Sequence, residues 1–256
     1  MVMLTTIPHA SAGPATPLLI AHGLYGSGRN WGVIAKRLSD RGPVIAVDMR
    51  NHGTSPWFET HSYTDMAGDL AEVIASRGAP MDVLGHSMGG KAAMALALTR
   101  PDLVNRLIVA DIAPVSYTHS QSQFIDAMRS VDLSRVEKRS DAEAQLKPLV
   151  EDQTLVTFFT QSLDLKARKW RLNLDVLEQD MPGILAFPEI AGRFDGPVLF
   201  LSGGLSDYVT PDHRPTIKAL FPAARFAKIP RAGHWLHAEK PREFEAAVRA
   251  WLDQTA

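Results

Sequence analysis

A doubly wound α/β domain interrupted by a helical insertion is the fold class that this 256-residue sequence predicts. Three observations point to it: short apolar runs recur along the chain, longer amphipathic segments separate them, and one block, residues 116–188, breaks the alternation. Strands covered on both faces of a parallel sheet read as unbroken apolar runs, and parallel strands need crossover helices between them. In such sheets function gathers at the carboxyl ends of the strands.

The expected strands are PLLIAHG (17–23), PVIAVDM (43–49), MDVLGHS (81–87), LIVADIA (107–113), PVLFLSGG (197–204) and ARFAKIP (224–230). Between them, amphipathic or alanine-rich stretches predict helices over 31–41, 63–77, 88–99, 216–220 and 242–252, and Pro101 closes the third of these. The irregular block carries helical stretches such as SQFIDAMRSV and SDAEAQLKPLVED but no convincing strand. It is too long for an ordinary connection and too periodic for disorder. The expected organisation is therefore a core of residues 1–115 and 189–256 with a helical cap over residues 116–188.

Composition narrows the class of function. The chain is 45% hydrophobic and 21% charged with a formal net charge of −1, which suits a globular core and argues against nucleic-acid or anionic-membrane partners. It has no cysteine, which removes disulfides, thiolate nucleophiles and thiolate metal sites, and fits a reducing compartment. The first residues, MVMLTTIPHASAGP, show neither a basic segment nor a long apolar run, so no signal peptide and a cytoplasmic location are expected. The histidines show no metal-ligand spacing, and no cofactor is expected. No oligomeric state follows from the sequence.

Gly85-His86-Ser87-Met88-Gly89 has the form G-x-S-x-G and sits between an apolar strand and an alanine-rich helix. That context is the tight strand-to-helix turn in which a serine hydroxyl stands exposed as a nucleophile. A serine needs a base and a site for the developing oxyanion. The backbone N–H of Met88 is one natural donor, and that of Leu24, in the loop AHGLYGSGRNW, is the other. Each such donor is typically worth about 3–4 kcal/mol of barrier. A phosphate-cradling role for this loop lacks a Lys-Ser/Thr ending and a G-x-G-x-x-G pattern. Among nine histidines His234 is the candidate base, because it follows the last strand and a glycine and precedes the last helix. His237 reads as a structural residue, His52 as a turn residue, and His86 occupies a variable position of the elbow.

With these segments together, HGLYGSGRNW, VDMRNHGTSP, GHSMGGKAAM, DIAPVSY and AGHWLHAEKP in that order, the chain resembles the α/β-hydrolase superfamily over essentially its whole length. Within it the sequence looks like the small bacterial YbfF-type esterases. The resemblance implies an α/β-hydrolase fold with an inserted helical cap, and hydrolysis of short- to medium-chain acyl esters, with acyl thioesters included. It places Ser87 on the nucleophile, His234 on the base, and Leu24 and Met88 on the oxyanion positions. The acid is left between two residues. Asp207, in Gly204-Leu205-Ser206-Asp207, matches the turn after the penultimate strand used by most of the superfamily. Asp111, in the DIAP segment, matches the position that the YbfF-like branch uses. The strands ending at these two residues are expected to be neighbours, so either carboxylate could reach the imidazole. His22, Gly23, Tyr25, His86 and Trp235 flank these motifs and are the candidate substrate-binding residues. Phe124, Phe158, Phe159 and Trp170 are candidates from the cap, where ordinary core packing accounts for each equally well. C–C hydrolases, thioesterases and amidases share this triad, whereas a haloalkane dehalogenase would need Asp where Ser87 stands. A receptor that keeps the fold without catalysis is the alternative outside hydrolases.

Overall fold

A computed structural model describes residues 3–11, 13–118 and 120–255. In chain order the core elements before the insertion are β1 (Thr6–His9), β2 (Leu18–Ala21), α1 (Gly32–Leu38), β3 (Val44–Val47), α2 (Tyr63–Ala75), β4 (Met81–His86), α3 (Met88–Thr99) and β5 (Val104–Ala110). The insertion holds α4 (Ser122–Arg129), α5 (Arg139–Leu146), α6 (Gln153–Thr160), β6 (Leu163–Asp164), β7 (Lys169–Trp170), α7 (Leu174–Gln179) and α8 (Met181–Leu185). The core resumes with β8 (Val198–Gly203), α9 (Arg214–Leu220), β9 (Ala224–Ile229), α10 (Leu236–Glu239) and α11 (Pro241–Gln254).

Seven strands form one sheet in the order β1-β3-β2-β4-β5-β8-β9, in which only β1 runs antiparallel to its neighbour. The expected strands all form. Alternate residues face opposite layers, as the two-residue period of a strand requires. Leu18, Ile20, Leu84, Ile108 and Leu201 pack on one side with Trp31, Ile34 and Leu38 and with Phe244, Val248 and Leu252 of α11. Leu19, Ala21, Val83, Val109 and Phe200 pack on the other, against α2 and α3. β1 is absent from the strand expectations because Thr6-Ile7-Pro8-His9 is only half-buried and contains a proline, which an edge strand tolerates. The insertion departs from expectation in one respect: β6 and β7 form a two-residue-per-strand hairpin, too short to leave an alternating pattern in the sequence.

Register aligns the strand ends that matter. Ala21 lies opposite Gly85, His86 opposite Ala110, and Ala110 opposite Leu201. The residues just beyond these ends, Gly23, Ser87, Asp111 and Gly203, are thereby brought to one edge of the sheet. The strand order reverses direction around β2, and the crevice opened there is the general ligand position of open α/β sheets. α3 runs beneath the insertion and is buried along its length from Met88 to Leu98. No helix among the described residues is long and apolar enough to cross a membrane.

A buried ion pair ties the far end of the same strands together. Asp82 of β4 takes both Arg106 Nε (2.8 Å) and Nη2 (2.6 Å), and Arg106 Nη1 donates to the Leu252 carbonyl of α11 at 2.7 Å. Both side chains are buried. Removing one partner strands the other charge, so Arg106→Ala is expected to lower unfolding stability by about 3–5 kcal/mol in urea titrations.

Candidate active site

Ser87 is the residue between β4 and α3 and has φ 53° and ψ −121°, a conformation that a side-chain-bearing residue adopts only under constraint. The constraint is visible. A Cβ added at Gly85 would lie 2.2 Å from the Gly89 carbonyl oxygen, and one at Gly89 would lie 2.4 Å from that of Ala21. Strand and helix meet so closely that only glycine fits on either side of the serine. The Ser87 N–H donates to the Ala110 carbonyl at 3.1 Å, fixing the turn against β5.

His234 lies in the loop after β9. Its Nε2 is 3.0 Å from Ser87 Oγ and its Nδ1 is 2.8 Å from Asp111 Oδ2. Asp111 follows β5 directly, has φ 52° and is fully buried. Its Oδ1 accepts the Gly203 N–H at 2.8 Å, and its Oδ2 also accepts the Ser206 hydroxyl at 2.5 Å. Three donors from β8, the turn after it and the His234 loop thus surround one buried carboxylate, which is what burial of such a charge demands. Asp207, the competing sequence candidate, is placed elsewhere: it is exposed, and neither ring nitrogen of His234 is open to it, because Asp111 and Ser87 hold both. The turn still reaches the acid, through Ser206, which sequence reasoning passed over in favour of its neighbour.

The remaining candidates separate into cavity walls and supports. A cavity of about 240 Å³ opens onto Ser87 and is lined by Gly23, Leu24, Tyr25, His86 and Trp235 among others. Gly23 packs against the nucleophile, since a Cβ there would lie 3.2 Å from that of Ser87. The backbone N–H groups of Leu24 and Met88 carry no acceptor among the described residues. His22 does not face the cavity. Its Nδ1 donates to the Gly23 carbonyl and its Nε2 accepts the Met49 N–H at 2.9 Å, so it braces the loop from behind. His52 does the same at Tyr25, accepting its N–H on Nε2 at 3.1 Å and holding it at φ 63°. His86 lines the cavity, but its Nε2 donates to the His234 carbonyl at 2.9 Å, which makes it a support for the base as well. From the insertion, Phe124 and Phe159 reach the cavity. Phe158 instead packs on Trp235, and Trp170 is held inside the insertion by its indole N–H to the Met128 carbonyl. Lys91, Tyr63 and Tyr117 also line the cavity and were not anticipated, although a lysine within the apolar run of α3 was the available signal.

The family profile described as alpha/beta hydrolase family matches residues 18–247. The chain belongs to the alpha/beta hydrolase family. It is a hydrolase. Among similar proteins, the mouse "sn-1-specific diacylglycerol lipase ABHD11" is 42% identical over 246 residues, covering 92% of this chain and 80% of that one. The Escherichia coli (strain K12) "Esterase YbfF" is 38% identical over 240 residues, 93% of each chain. A solved structure titled "Marine microorganism esterase" superposes with a TM-score of 0.93 at 39% identity, covering 98% of this chain and all of that one.

Burial holds five of the histidines around the site neutral. Desolvation pushes His237, stacked on Trp31, and His61, beside Met88 Sδ, down to about 3, and lowers His22, His52 and His86 as well. In the unfolded chain these groups titrate near 6.5. The unfolded state therefore binds more protons between about 3 and 6.5, and the folded state loses stability as pH falls through that window. Urea unfolding measured at a series of pH values is expected to show this loss begin below about 6.5 and continue toward 3.

Proposed function

We propose that this hydrolase is a serine carboxylesterase acting on short- to medium-chain acyl esters through a Ser87–His234–Asp111 triad and an acyl-enzyme. The observation that carries the reading is the unbroken relay from Ser87 Oγ through both ring nitrogens of His234 to a fully buried carboxylate, opening on a largely apolar cavity. The cavity lies below the roughly 300–1,000 Å³ usual for small-molecule sites, which favours acyl groups of modest length. The names of the relatives, an esterase and a diacylglycerol lipase, agree with ester cleavage.

In this reading His234 Nε2 takes the Ser87 proton as Oγ attacks the ester carbonyl carbon. Leu24 and Met88 donate their free N–H groups to the oxyanion of the tetrahedral intermediate. The imidazolium, stabilised and oriented by Asp111, protonates the departing alcohol, and the acyl group stays on Ser87. His234 then draws a proton from water, which attacks the acyl carbonyl; the bond to Ser87 Oγ breaks, His234 returns the proton to Oγ, and the carboxylic acid leaves. Residues 116–188 act as a cap whose Phe124 and Phe159 keep water from the acyl chain.

Fluorophosphonate treatment followed by peptide mass spectrometry is expected to place the adduct on Ser87, with none on Ser87→Ala. With aryl ester substrates, Asp111→Asn should lower kcat by about 10⁴, the scale found when a triad aspartate is made neutral, whereas Asp207→Asn should stay near the unaltered protein. A large loss in Asp207→Asn with little in Asp111→Asn would overturn the assignment of the acid.

A further inference from the structure

Lys91 is a buried cation with no carboxylate partner among the described residues, and it stands in the wall of the substrate cavity. It lies one turn along α3 from Ser87, a rise of roughly 6 Å. Its Nζ donates to the Leu185 carbonyl at 2.8 Å and to the Ala186 carbonyl at 2.6 Å, where α8 ends. The same Nζ lies 4.8 Å from the Tyr117 ring centroid and 5.7 Å from that of Tyr63. Tyr63, Tyr117 and Leu185 line the cavity together with Lys91, so the ammonium belongs to its wall.

An ammonium has three N–H donors, and two are used here. Anchoring the end of α8 needs only neutral donors, whereas a full charge enclosed without a counter-ion is unfavourable. Burial accordingly pushes Lys91 down to about 7. A ligand carboxylate would supply both the missing acceptor and the missing charge.

We propose that Lys91 is a specificity residue that selects acyl groups ending in a carboxylate a few bonds from the scissile carbonyl, so that hemiesters of short dicarboxylic acids are preferred over neutral esters of the same length. The inference rests on the esterase reading above and names the substrate class within it. The carboxylate would take the third N–H of Lys91 while the ester carbonyl lies at Ser87, and the intervening methylenes would lie against the apolar lining that includes Ile112 and Ile184.

The test compares kcat/KM for matched pairs of monoaryl esters, one acyl chain ending in a methyl group and the other in a carboxylate. The readout is the acid-to-neutral ratio, which is independent of how much activity a variant retains. Lys91→Met is expected to lower this ratio by about thirtyfold, the scale of truncating one partner of a buried charge pair. The unaltered protein supplies a second measurement that needs no variant. Both esters meet the same free enzyme, so any pH dependence they share divides out of the ratio. The titratable groups facing Nζ are the phenols of Tyr63 and Tyr117, both raised by burial and neutral through this range. Lys91 is charged below about 7 and neutral above it, so the ratio should be high below about 7 and fall as pH rises through it. A ratio that neither responds to Lys91→Met nor changes with pH would overturn the inference while leaving esterase activity intact. Failure to turn over either ester, with no label on Ser87, would instead overturn the reading on which it rests.

Discussion

The site depends on one buried carboxylate. Asp111 is withdrawn from solvent entirely, and an ionised group can stay there only if several donors replace its water. Those donors come from three separate places: the Gly203 amide at the end of β8, the Ser206 hydroxyl in the turn beyond it, and His234 after β9. Satisfying the charge therefore draws together segments far apart in the chain and points the imidazole at Ser87. Each donor fixes the others, because losing one would leave the carboxylate partly unsatisfied at a cost comparable to the bond itself.

A second constraint fixes Ser87 from below. The elbow at Ser87 exists because α3 approaches β4 within the distance of a missing Cβ at Gly85, and approaches the end of β2 as closely at Gly89. The fully buried, alanine-rich α3 makes that approach possible, and the parallel register places Asp111 one strand over at the same height. Both Ser87 and Asp111 carry positive φ values at the ends of adjacent strands. Strain of this kind persists where surrounding packing over-determines it, which the sheet does here at two neighbouring positions.

Histidines dominate the surroundings, and several of them hold backbone in place. His22 and His52 hold the Gly23–Tyr25 loop, and His86 holds the carbonyl of His234. Their burial favours the neutral ring, in which one nitrogen donates and the other accepts. Lys91 stands apart from this pattern. Where Asp111 is ringed by donors, Lys91 meets only carbonyl oxygens and aromatic faces among the described residues. The two buried groups near Ser87 thus differ in how completely the protein itself satisfies them.

Much of this was legible in the linear sequence because it is governed by local rules. Continuous apolar runs specified the parallel strands, and the glycines around Ser87 specified an elbow that no other residue type permits. The position of His234 after the last strand and a glycine singled it out as the candidate base. Short or edge elements such as β1 and the β6–β7 hairpin were not legible, since too few residues alternate in them to leave a period. Nor were the choice of Asp111 over Asp207, the supporting role of Ser206, and the exposure of Lys91 to the cavity. Those depend on where a side chain points once strands from distant parts of the chain lie side by side, and on which charges the fold then encloses. The sequence by itself determined the fold and singled out Ser87 and His234, because local pattern encodes both. Only the tertiary structure decided which carboxylate meets His234, because two carboxylates of similar local context differ in burial and in the donors that distant segments bring to them.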